Sequence, residues 1–385
     1  MRLLMLAAIS FAFTHGRVVA MPQMHVLASP VITTPAPVTA PVQTVASPKV
    51  ILVTIDGTMW QDVVSSQHGA LPTLERWMTT DGALVGADEA VPMEASGPNF
   101  VSQPGYTEIF TGRPSACTSN GCARTTQRTL VDDLPDGTSF AVVASWERIA
   151  LAATSENRAG FISCGRSQHS MASSMSVEQL ARSMEGGEPT PGVGDYRPDA
   201  NTIDLALEAL RTDRPTFLFV GLGDTDEHAH HGDHAAYLRA LGSADAFLGT
   251  VETILDDDGD AASTTILVTV DHGRSDDFRD HGDAFPESRR VWLVAHGAGI
   301  GARGAVTSPT PRRLADVAPT VRALLRMPPV TGPGAGKSLD ELALRGSADA
   351  AAMAEHVDRG DDEKHGESDG DRFERRHRSQ ESRAR

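Results

Sequence analysis

Seven side chains in the sequence combine the carboxylates, imidazoles and hydroxyl that metal-dependent ester hydrolysis needs. They are Asp56, Ser102, Asp224, His228, Asp271, His272 and His281. Three of the carboxylates directly or almost directly follow short apolar runs rich in β-branched residues, a pattern typical of parallel strands covered on both faces. Ligands of open sheets collect at the carboxyl ends of such strands. Because carboxylates and imidazoles bind hard or borderline metal ions, the pattern predicts a two-metal hydrolytic site.

The segments that must position these residues have the sequence pattern of an α/β fold, with a mostly parallel central sheet and helices on both faces. Five apolar runs predict strands: 50–55, 140–144, 217–222, 266–270 and 291–295. A helix is predicted after Asp233, where apolar residues recur at spacings of three and four, and another over 314–325. Residues 146–198 lack a strong pattern and are predicted to form a small cap insertion that governs the choice of substrate.

The chain of 385 residues divides by composition into four parts. Residues 1–20 have the outline of a signal peptide, with an apolar stretch and a small-residue cleavage site, so export to the periplasm or outside the cell is expected. A buried or disordered N-terminus is the alternative. Residues 21–48 form a proline-rich spacer, 49–344 the catalytic domain, and 345–385 a charged tail that we expect to be disordered.

Composition limits the classes of partner. A formal net charge of -17 argues against nucleic acid as a bulk partner. No segment supplies the roughly 20 apolar residues of a membrane span. In an oxidising compartment Cys117 and Cys122 can close a small loop and leave Cys164 free, with three free thiols as the alternative. The oligomeric state stays open.

Ser102 is the candidate nucleophile. Pro104 suits the first turn of a helix and Gly112 its end, which would make Ser102 an N-cap residue. Capping is therefore a sufficient structural explanation for this serine. The same geometry also suits catalysis, because backbone N–H groups at a helix start can hold a phosphoryl group beside the hydroxyl. The local sequence implies no histidine as a general base, so an adjacent metal ion would have to activate the hydroxyl.

The order and spacing of these motifs resemble the alkaline phosphatase superfamily, most closely its nucleotide pyrophosphatase/phosphodiesterase branch. The matching segments are 55–57, 102–112, 224–228, 271–273, 281–282, 316–320 and 336–339. The resemblance implies two divalent metal ions, with zinc expected and manganese suited to the same ligands. It assigns Asp224, His228 and His281 to one ion, and Asp56, Asp271 and His272 to the other. It also implies that Ser102 attacks phosphorus and forms a phosphoserine intermediate.

Local spacing bears on these ligand assignments. Asp224 and His228 are four residues apart and can converge on one ion across a helical turn or a loop. Asp271 and His272 are neighbours, and successive strand side chains point to opposite faces. They can therefore converge only in a turn after the strand.

Departures from the family patterns narrow the interpretation. Tyr106 stands where sulfatases of the superfamily carry an arginine, and Phe219 stands where alkaline phosphatases carry the glutamate of a magnesium site. Asn120 and Arg124 lie where the phosphodiesterase branch holds a phosphate oxygen, and the choice between them stays open. An arginine would suit a terminal phosphate because its fork binds two oxygens.

The sequence thus predicts an exported, metal-dependent phosphoric ester hydrolase that acts on a small phosphate ester, either a monoester or a diester. The alternatives are a sulfatase, a phosphotransferase or mutase of the same superfamily, and a noncatalytic binding protein with this fold.

Overall fold

The computed structural model describes residues 47–65, 69–156, 158, 160–166, 168–170 and 194–343. Its centre is a nine-stranded sheet in the order β11-β2-β10-β8-β1-β7-β4-β5-β6. The strands of this sheet are β1 Lys49–Ile55, β2 Gly82–Val85, β4 Phe140–Ala144, β5 Phe161–Cys164, β6 Gln168–Ser170, β7 Phe217–Leu222, β8 Thr264–Thr269, β10 Leu293–Gly297 and β11 Gly304–Val306. A three-stranded sheet contains β3 Met93–Glu94, β9 Arg290–Val291 and β12 Arg312–Arg313.

The α-helices among the described residues pack around the central sheet. They are α1 Trp60–Val64, α2 Pro72–Arg76, α3 Ser102–Thr111, α4 Ile149–Ala153, α5 Asp199–Asp213, α6 Asp224–His230, α7 His234–Asp257 and α8 Val317–Leu324. Strands β4, β7 and β8 are buried along their whole length, which means that both faces of the sheet are covered. The predicted α/β class with a mostly parallel sheet is confirmed.

The register of the central strands brings three chain segments to one edge of the sheet. Strand β1 runs parallel to both β7 and β8, pairing Ile55 with Leu222 and Thr54 with Thr269. The residues that follow these three strands therefore emerge side by side. This alignment places the segments beginning at 56, 223 and 270 at the carboxyl edge where the sequence predicts the site.

The prediction of a single strand over 291–295 is wrong, because the chain forms two strands there. The chain divides there into β9, which pairs with β3 in the small sheet, and β10, which pairs with β2 and β8 in the large one. Trp292 lies between the two strands and is fully buried. An unbroken apolar run cannot show where a chain passes from one sheet to another, because both strands are buried.

The predicted helix after Asp233 is confirmed. Helix α7 begins at His234, and the Asp233 carboxylate caps it by accepting a hydrogen bond from the Ala236 N–H at 2.9 Å. The predicted helix over 314–325 forms as a 3-10 turn over Leu314–Asp316 followed by α8.

Several predicted segments lie outside the described residues. The signal peptide, nearly all of the spacer, the charged tail and residues 171–193 of the predicted cap belong to this group. Across the part of the chain that the structure describes, no helix has both the length and the apolar character required to cross a membrane.

Candidate metal centre and nucleophile

The first group of candidate ligands consists of Asp56, Asp271 and His272, whose ligand atoms lie within 4.8 Å of one another. Each carboxylate has one oxygen held by the protein. The Tyr106 hydroxyl donates to Asp56 Oδ2 at 2.9 Å, and the Gly57 N–H donates to Asp271 Oδ1 at 3.2 Å. The other two oxygens, Asp56 Oδ1 and Asp271 Oδ2, are buried without any hydrogen-bond partner. Two buried, unpartnered carboxylate oxygens in one group are suited to binding a cation.

His272 completes this group. Its Nδ1 lies 2.9 Å from the Gly273 carbonyl oxygen, which can only accept a hydrogen bond from the ring N–H, so the lone pair is on Nε2. Nε2 lies 3.6 Å from Asp56 Oδ1 and 3.4 Å from Asp271 Oδ2, the same two unpartnered oxygens. Three electron-pair donors therefore converge on one point. This donor set fits a zinc-like divalent ion, and Asp271 and His272 meet in a turn after β8 as the sequence predicts.

Ser102 lies against this group. Its Oγ is 3.2 Å from His272 Nε2, and the residue is buried. Helix α3 approaches the Asp271 segment closely because Gly105 has no side chain, as a Cβ there would lie 2.3 Å from the Asp271 carbonyl oxygen. Val101 is the N-cap residue of α3 and Ser102 is its first residue, with no side-chain cap. Capping therefore does not account for this serine. Gly112 ends the helix as predicted, and the structure shows it in a left-handed conformation.

The second group of candidate ligands is Asp226, His230 and His281. The Oδ2 atom of Asp226 lies 3.2 Å from His230 Nε2, and His230 Nε2 lies 3.0 Å from His281 Nε2. His281 also stacks on His272, which joins the two groups. Its Nδ1 lies 2.9 Å from the Phe100 carbonyl oxygen, so its Nε2 carries the lone pair that faces Asp226 and His230. The His230 side chain is 40% exposed, which opens this group to solvent.

The structure does not place Asp224 and His228, the ligands predicted from the sequence, among the atoms of this group. Asp224 Oδ1 accepts a hydrogen bond from the Tyr196 hydroxyl at 2.8 Å, and its Oδ2 accepts one from the Asp199 N–H at 3.3 Å. The sequence of α6 contains the pattern Asp-x-x-x-His twice, two residues apart. Two residues correspond to about 200° of rotation around an α-helix, so the two pairs point to opposite faces. The sequence spacing alone could not distinguish them.

Arg274 is a site residue that the sequence analysis missed. Its side chain is fully buried, and its Nη2 forms an ion pair with Asp226 Oδ1. Its Nη1 donates to the carbonyl oxygens of Phe278 and Arg279, at 3.2 and 2.8 Å. One guanidinium thus connects the helix that carries Asp226 to the loop that carries His281. The only signal in the sequence is the position of Arg274 two residues after His272.

Electrostatic conditions differ between the two groups. Burial, followed by the charges of Asp271 and Asp226, raises the pKa of Asp56 well above its usual value. Burial also raises the pKa of Asp271, to about 7, and lowers the pKa of His272 to about 4. Burial acts to raise the pKa of Asp226 too, but the charge of Arg274 and the bond to His230 hold it well below the usual value. The first group is therefore the one in greater need of an added positive charge.

The two candidate phosphate ligands have different environments. Asn120 Oδ1 accepts a hydrogen bond at 2.9 Å from the N–H of Gln103, the residue next to Ser102. Arg124 is directed elsewhere, because its Nη1 donates to the Ala150 carbonyl oxygen at 2.8 Å and to Thr154. The structure thus brings Asn120 to the start of the nucleophile helix and ties Arg124 to the end of α4.

Two of the three cysteines close the small loop that the sequence allows. Cys117 and Cys122 are joined by a disulfide with a Cα–Cα distance of 5.9 Å, and Cys164 is free and buried. Burial raises the pKa of the Cys164 thiol to about 12. Burial and a raised pKa are typical of structural rather than reactive cysteines.

Known proteins share parts of this architecture. Residues 174–329 match the family model described as the Metalloenzyme superfamily. The structure is similar to wild-type alkaline phosphatase PafA, with a TM-score of 0.56 and 13% identity over 78% of this chain and all of that chain. It is also similar to a 2-O GAG sulfatase, with a TM-score of 0.55 and 13% identity over 77% of this chain and 74% of that one. These two likenesses concern the fold.

Curated relatives match shorter parts of the chain. A GPI ethanolamine phosphate transferase 1 of Aspergillus oryzae is 34% identical over 99 residues, which are 25% of this chain and 10% of that protein. A 2,3-bisphosphoglycerate-independent phosphoglycerate mutase of Chloroflexus aurantiacus is 29% identical over 151 residues, 37% of this chain and 27% of the mutase. The chain thus spans about a tenth to a quarter of the length of these relatives. Together with the family match over 174–329 and the shared fold, they support an assignment to the alkaline phosphatase superfamily of metalloenzymes.

Proposed function

We propose that this protein is a metal-dependent phosphoric ester hydrolase with Ser102 as its nucleophile. The observation that carries the proposal is the contact between Ser102 Oγ and His272 Nε2, at the edge of a group with two buried, unpartnered carboxylate oxygens. A serine hydroxyl is a poor nucleophile unless positive charge or a base lies beside it. This donor set would hold such a charge within reach of the hydroxyl.

The two groups divide the metal-binding work. Asp56, Asp271 and His272 would hold one divalent ion beside Ser102, and Asp226, His230 and His281 would hold the other. Zinc suits this mixture of carboxylates and imidazoles, and manganese is the alternative. When bound, the two ions would supply Lewis-acid stabilisation of the attacking and the leaving oxygen.

The residues of the chain set the geometry of the reaction. The bonds from Tyr106 to Asp56 and from Gly57 to Asp271 orient both carboxylates before a substrate arrives. Ser102 Oγ would attack phosphorus while the ester oxygen leaves on the opposite side, forming a phosphoserine that water then hydrolyses. The half-exposed His230 leaves the second group open to solvent, so a leaving group bound there could depart.

The relatives support phosphorus chemistry. The transferase and the mutase are named for the transfer of phosphate-containing groups, and PafA is a phosphatase. A sulfatase is the weaker candidate for this chain. Tyr106 occupies the position of the sulfatase arginine, and its hydroxyl is bound to Asp56 rather than free for a substrate. Transfer to an acceptor other than water remains the second candidate, because the same phosphoserine would serve it.

We also propose that the protein is exported. The signal-peptide outline of residues 1–20 is one support, and the disulfide between Cys117 and Cys122 is another, since disulfides persist in oxidising compartments. Fractionation of cells that express the full chain, with N-terminal sequencing of the product, would test this. An intact N-terminus in the cytosolic fraction would contradict it.

The experiment for the main proposal combines metal analysis with substrates. Purified protein should contain about two zinc ions per chain and hydrolyse aryl phosphate mono- or diesters, with aryl sulfate turned over at least about 100-fold more slowly. A comparison of mono- and diester kcat/KM values would assign the ester class. A protein that binds no metal and turns over none of these esters after metal is added back would contradict the proposal.

A further inference from the structure

We infer that Gln103 and the Cys117–Cys122 disulfide form a latch that positions Asn120 beside the nucleophile. The latch holds in one orientation the Asn120 side-chain amide, which the resemblance to the phosphodiesterase branch already places against a phosphate oxygen. The inference rests on the proposed function and adds to it the way in which the chain holds this amide in place. Gln103 and the two cysteines are positioning residues in this account, because they act through Asn120.

Gln103 is the centre of the latch. The residue is 1% exposed although its side chain is polar. Its N–H donates to Asn120 Oδ1 at 2.9 Å, its Nε2 donates to the Cys122 carbonyl oxygen at 2.9 Å, and its Oε1 accepts from the Cys122 N–H at 3.1 Å. Three hydrogen bonds from one residue thus fasten the loop 117–122 to the start of α3.

Arg148 supports the same contact from the other side. Its Nε donates to Gln103 Oε1 at 3.1 Å, and its Nη2 donates to the Cys122 carbonyl oxygen at 2.7 Å. The guanidinium therefore bridges both partners of the Gln103–Cys122 pair. A charged donor strengthens these bonds relative to neutral ones.

The start of α3 has few backbone donors left for a phosphoryl group. The Gln103 N–H is bound to Asn120, Pro104 has no N–H, and the Gly105 N–H donates to the Val101 carbonyl oxygen at 3.2 Å. The expectation that several backbone N–H groups hold the phosphoryl group there is therefore not met. A side-chain donor, which the resemblance to the phosphodiesterase branch implies in this region, would serve that purpose.

The Asn120 amide group provides this donor. An N–H group can donate only to the amide oxygen, so the Gln103 N–H fixes which end of the Asn120 amide faces the helix. The Nδ2 end then points away from that bond, and it donates to no acceptor among the described residues. Asn120 is also solvent-exposed, so a substrate can reach it.

The disulfide adds a covalent restraint to a loop that is otherwise held by hydrogen bonds to Gln103, Arg148 and Asn99. Residues 118–121 are all exposed, and the loop has no buried apolar side chain of its own. The bond between Cys117 and Cys122 closes a short ring that contains Asn120. It limits the conformations in which Asn120 can leave the Gln103 N–H.

The test is a set of variants measured for aryl phosphate hydrolysis, inhibition by inorganic phosphate and zinc content. Asn120→Ala should lower kcat/KM by roughly 100-fold, as expected for the loss of one transition-state donor. Gln103→Ala, and separately Cys117→Ser with Cys122→Ser, should each lower it by roughly 10-fold and weaken phosphate inhibition by about as much. Zinc content should stay at the wild-type value, and Gln61→Ala, at an exposed site, should change nothing.

A double-mutant cycle separates positioning from general damage. In the Asn120→Ala background, Gln103→Ala should cost less than about twofold, because its target is already gone. An equal loss in both backgrounds, or full activity of Asn120→Ala, would overturn the latch while leaving the proposed function standing. A wild-type protein with neither zinc nor turnover would overturn the proposed function, and this inference with it.

Discussion

Asp226 and His230 lie one helical turn apart on α6, with 3.2 Å between Oδ2 and Nε2. Their spacing is the same as that of Asp224 and His228, yet only the former pair faces His281. The two pairs can therefore be compared within one helix, since they have identical residue types and occupy opposite faces.

This comparison gives the first prediction. His230→Ala should lower the zinc content from about two ions per chain to about one, because it removes a ligand of the second group. His228→Ala should leave the zinc content unchanged. Elemental analysis after dialysis measures both. Loss of an ion from His228→Ala with none from His230→Ala would restore the assignment made from the sequence.

The second prediction concerns the nucleophile. Ser102→Ala should lower kcat by at least roughly a thousandfold, because the attacking oxygen is gone. The zinc content should remain at the wild-type value, since Asp56, Asp271 and His272 keep their own hydrogen bonds. Steady-state kinetics and elemental analysis test this. Near-normal turnover by this variant would exclude a phosphoserine mechanism.

The sequence predicts those features that depend on single segments. The buried strands that precede Asp56 and Asp271 follow from apolar runs, and the parallel register places their ends together. The convergence of Asp271 and His272 follows from the need for a turn. Each of these conclusions uses only residues that are neighbours in the chain.

Features that depend on helix phase or on distant segments were not predictable. The choice between Asp224 and Asp226 depends on the residue at which α6 begins, which sequence reasoning locates only to within a few residues. The role of Arg274 depends on carbonyl oxygens at 278 and 279, which carry no signal in side-chain chemistry. The binding of Asn120 to Gln103 likewise depends on a loop path that the disulfide sets.

The third prediction uses two glycines that share a left-handed backbone. Gly57 has φ of 55°, and a Cβ there would lie 2.3 Å from Asp226 Oδ1. Gly259 has φ of 72° and nothing within 4 Å of that position. Either substitution by alanine should lower the free energy of unfolding by about 1–2 kcal/mol, because the left-handed backbone is strained with a Cβ. Only Gly57→Ala should also displace the Asp226 carboxylate and weaken zinc binding.

The measurements for this pair are denaturant unfolding of the metal-free proteins and zinc titration of the folded ones. Comparable stability losses with a selective loss of zinc affinity in Gly57→Ala would support the close packing of Gly57 on Asp226. Equal zinc affinity in the two variants would show that the carboxylate can move aside without consequence.

The fourth prediction concerns Arg274. Arg274→Lys keeps the positive charge but cannot bind Asp226 and two carbonyl oxygens at once, because an ammonium lacks the planar fork. We expect the second ion to bind at least about tenfold more weakly, with the first unaffected. Titration of the metal-free protein with cobalt, followed by its visible spectrum, resolves the two steps. Arg303→Lys, at a surface site bound to Glu341 and Ala343 carbonyl oxygens, is the matched control.

The fifth prediction concerns proton release when metal binds. Burial raises the pKa of Asp271 to about 7 and that of Asp56 well above its usual value, so the metal-free protein carries protons on this pair at pH 6. Burial lowers the pKa of His272 to about 4 and of His281 to about 3, so these rings are already neutral there. Zinc binding at pH 6 should therefore release at least about one proton, all of it from carboxyl groups.

The sign of the pH dependence follows from the same values. At pH values between the pKa of an aspartate in the unfolded chain and about 7, the folded, metal-free protein binds the Asp271 proton more tightly than the unfolded chain does. This contribution to stability is lost as pH rises through about 7. Over the same rise the competing proton disappears, so zinc affinity should increase and proton release should fall by pH 9.

Calorimetric titrations in buffers of different ionisation enthalpy measure the release directly. Asp224→Asn, outside both ligand groups, should behave as wild type. Release that is absent at pH 6, or that grows toward pH 9, would show that the carboxylates are already ionised before the metal arrives.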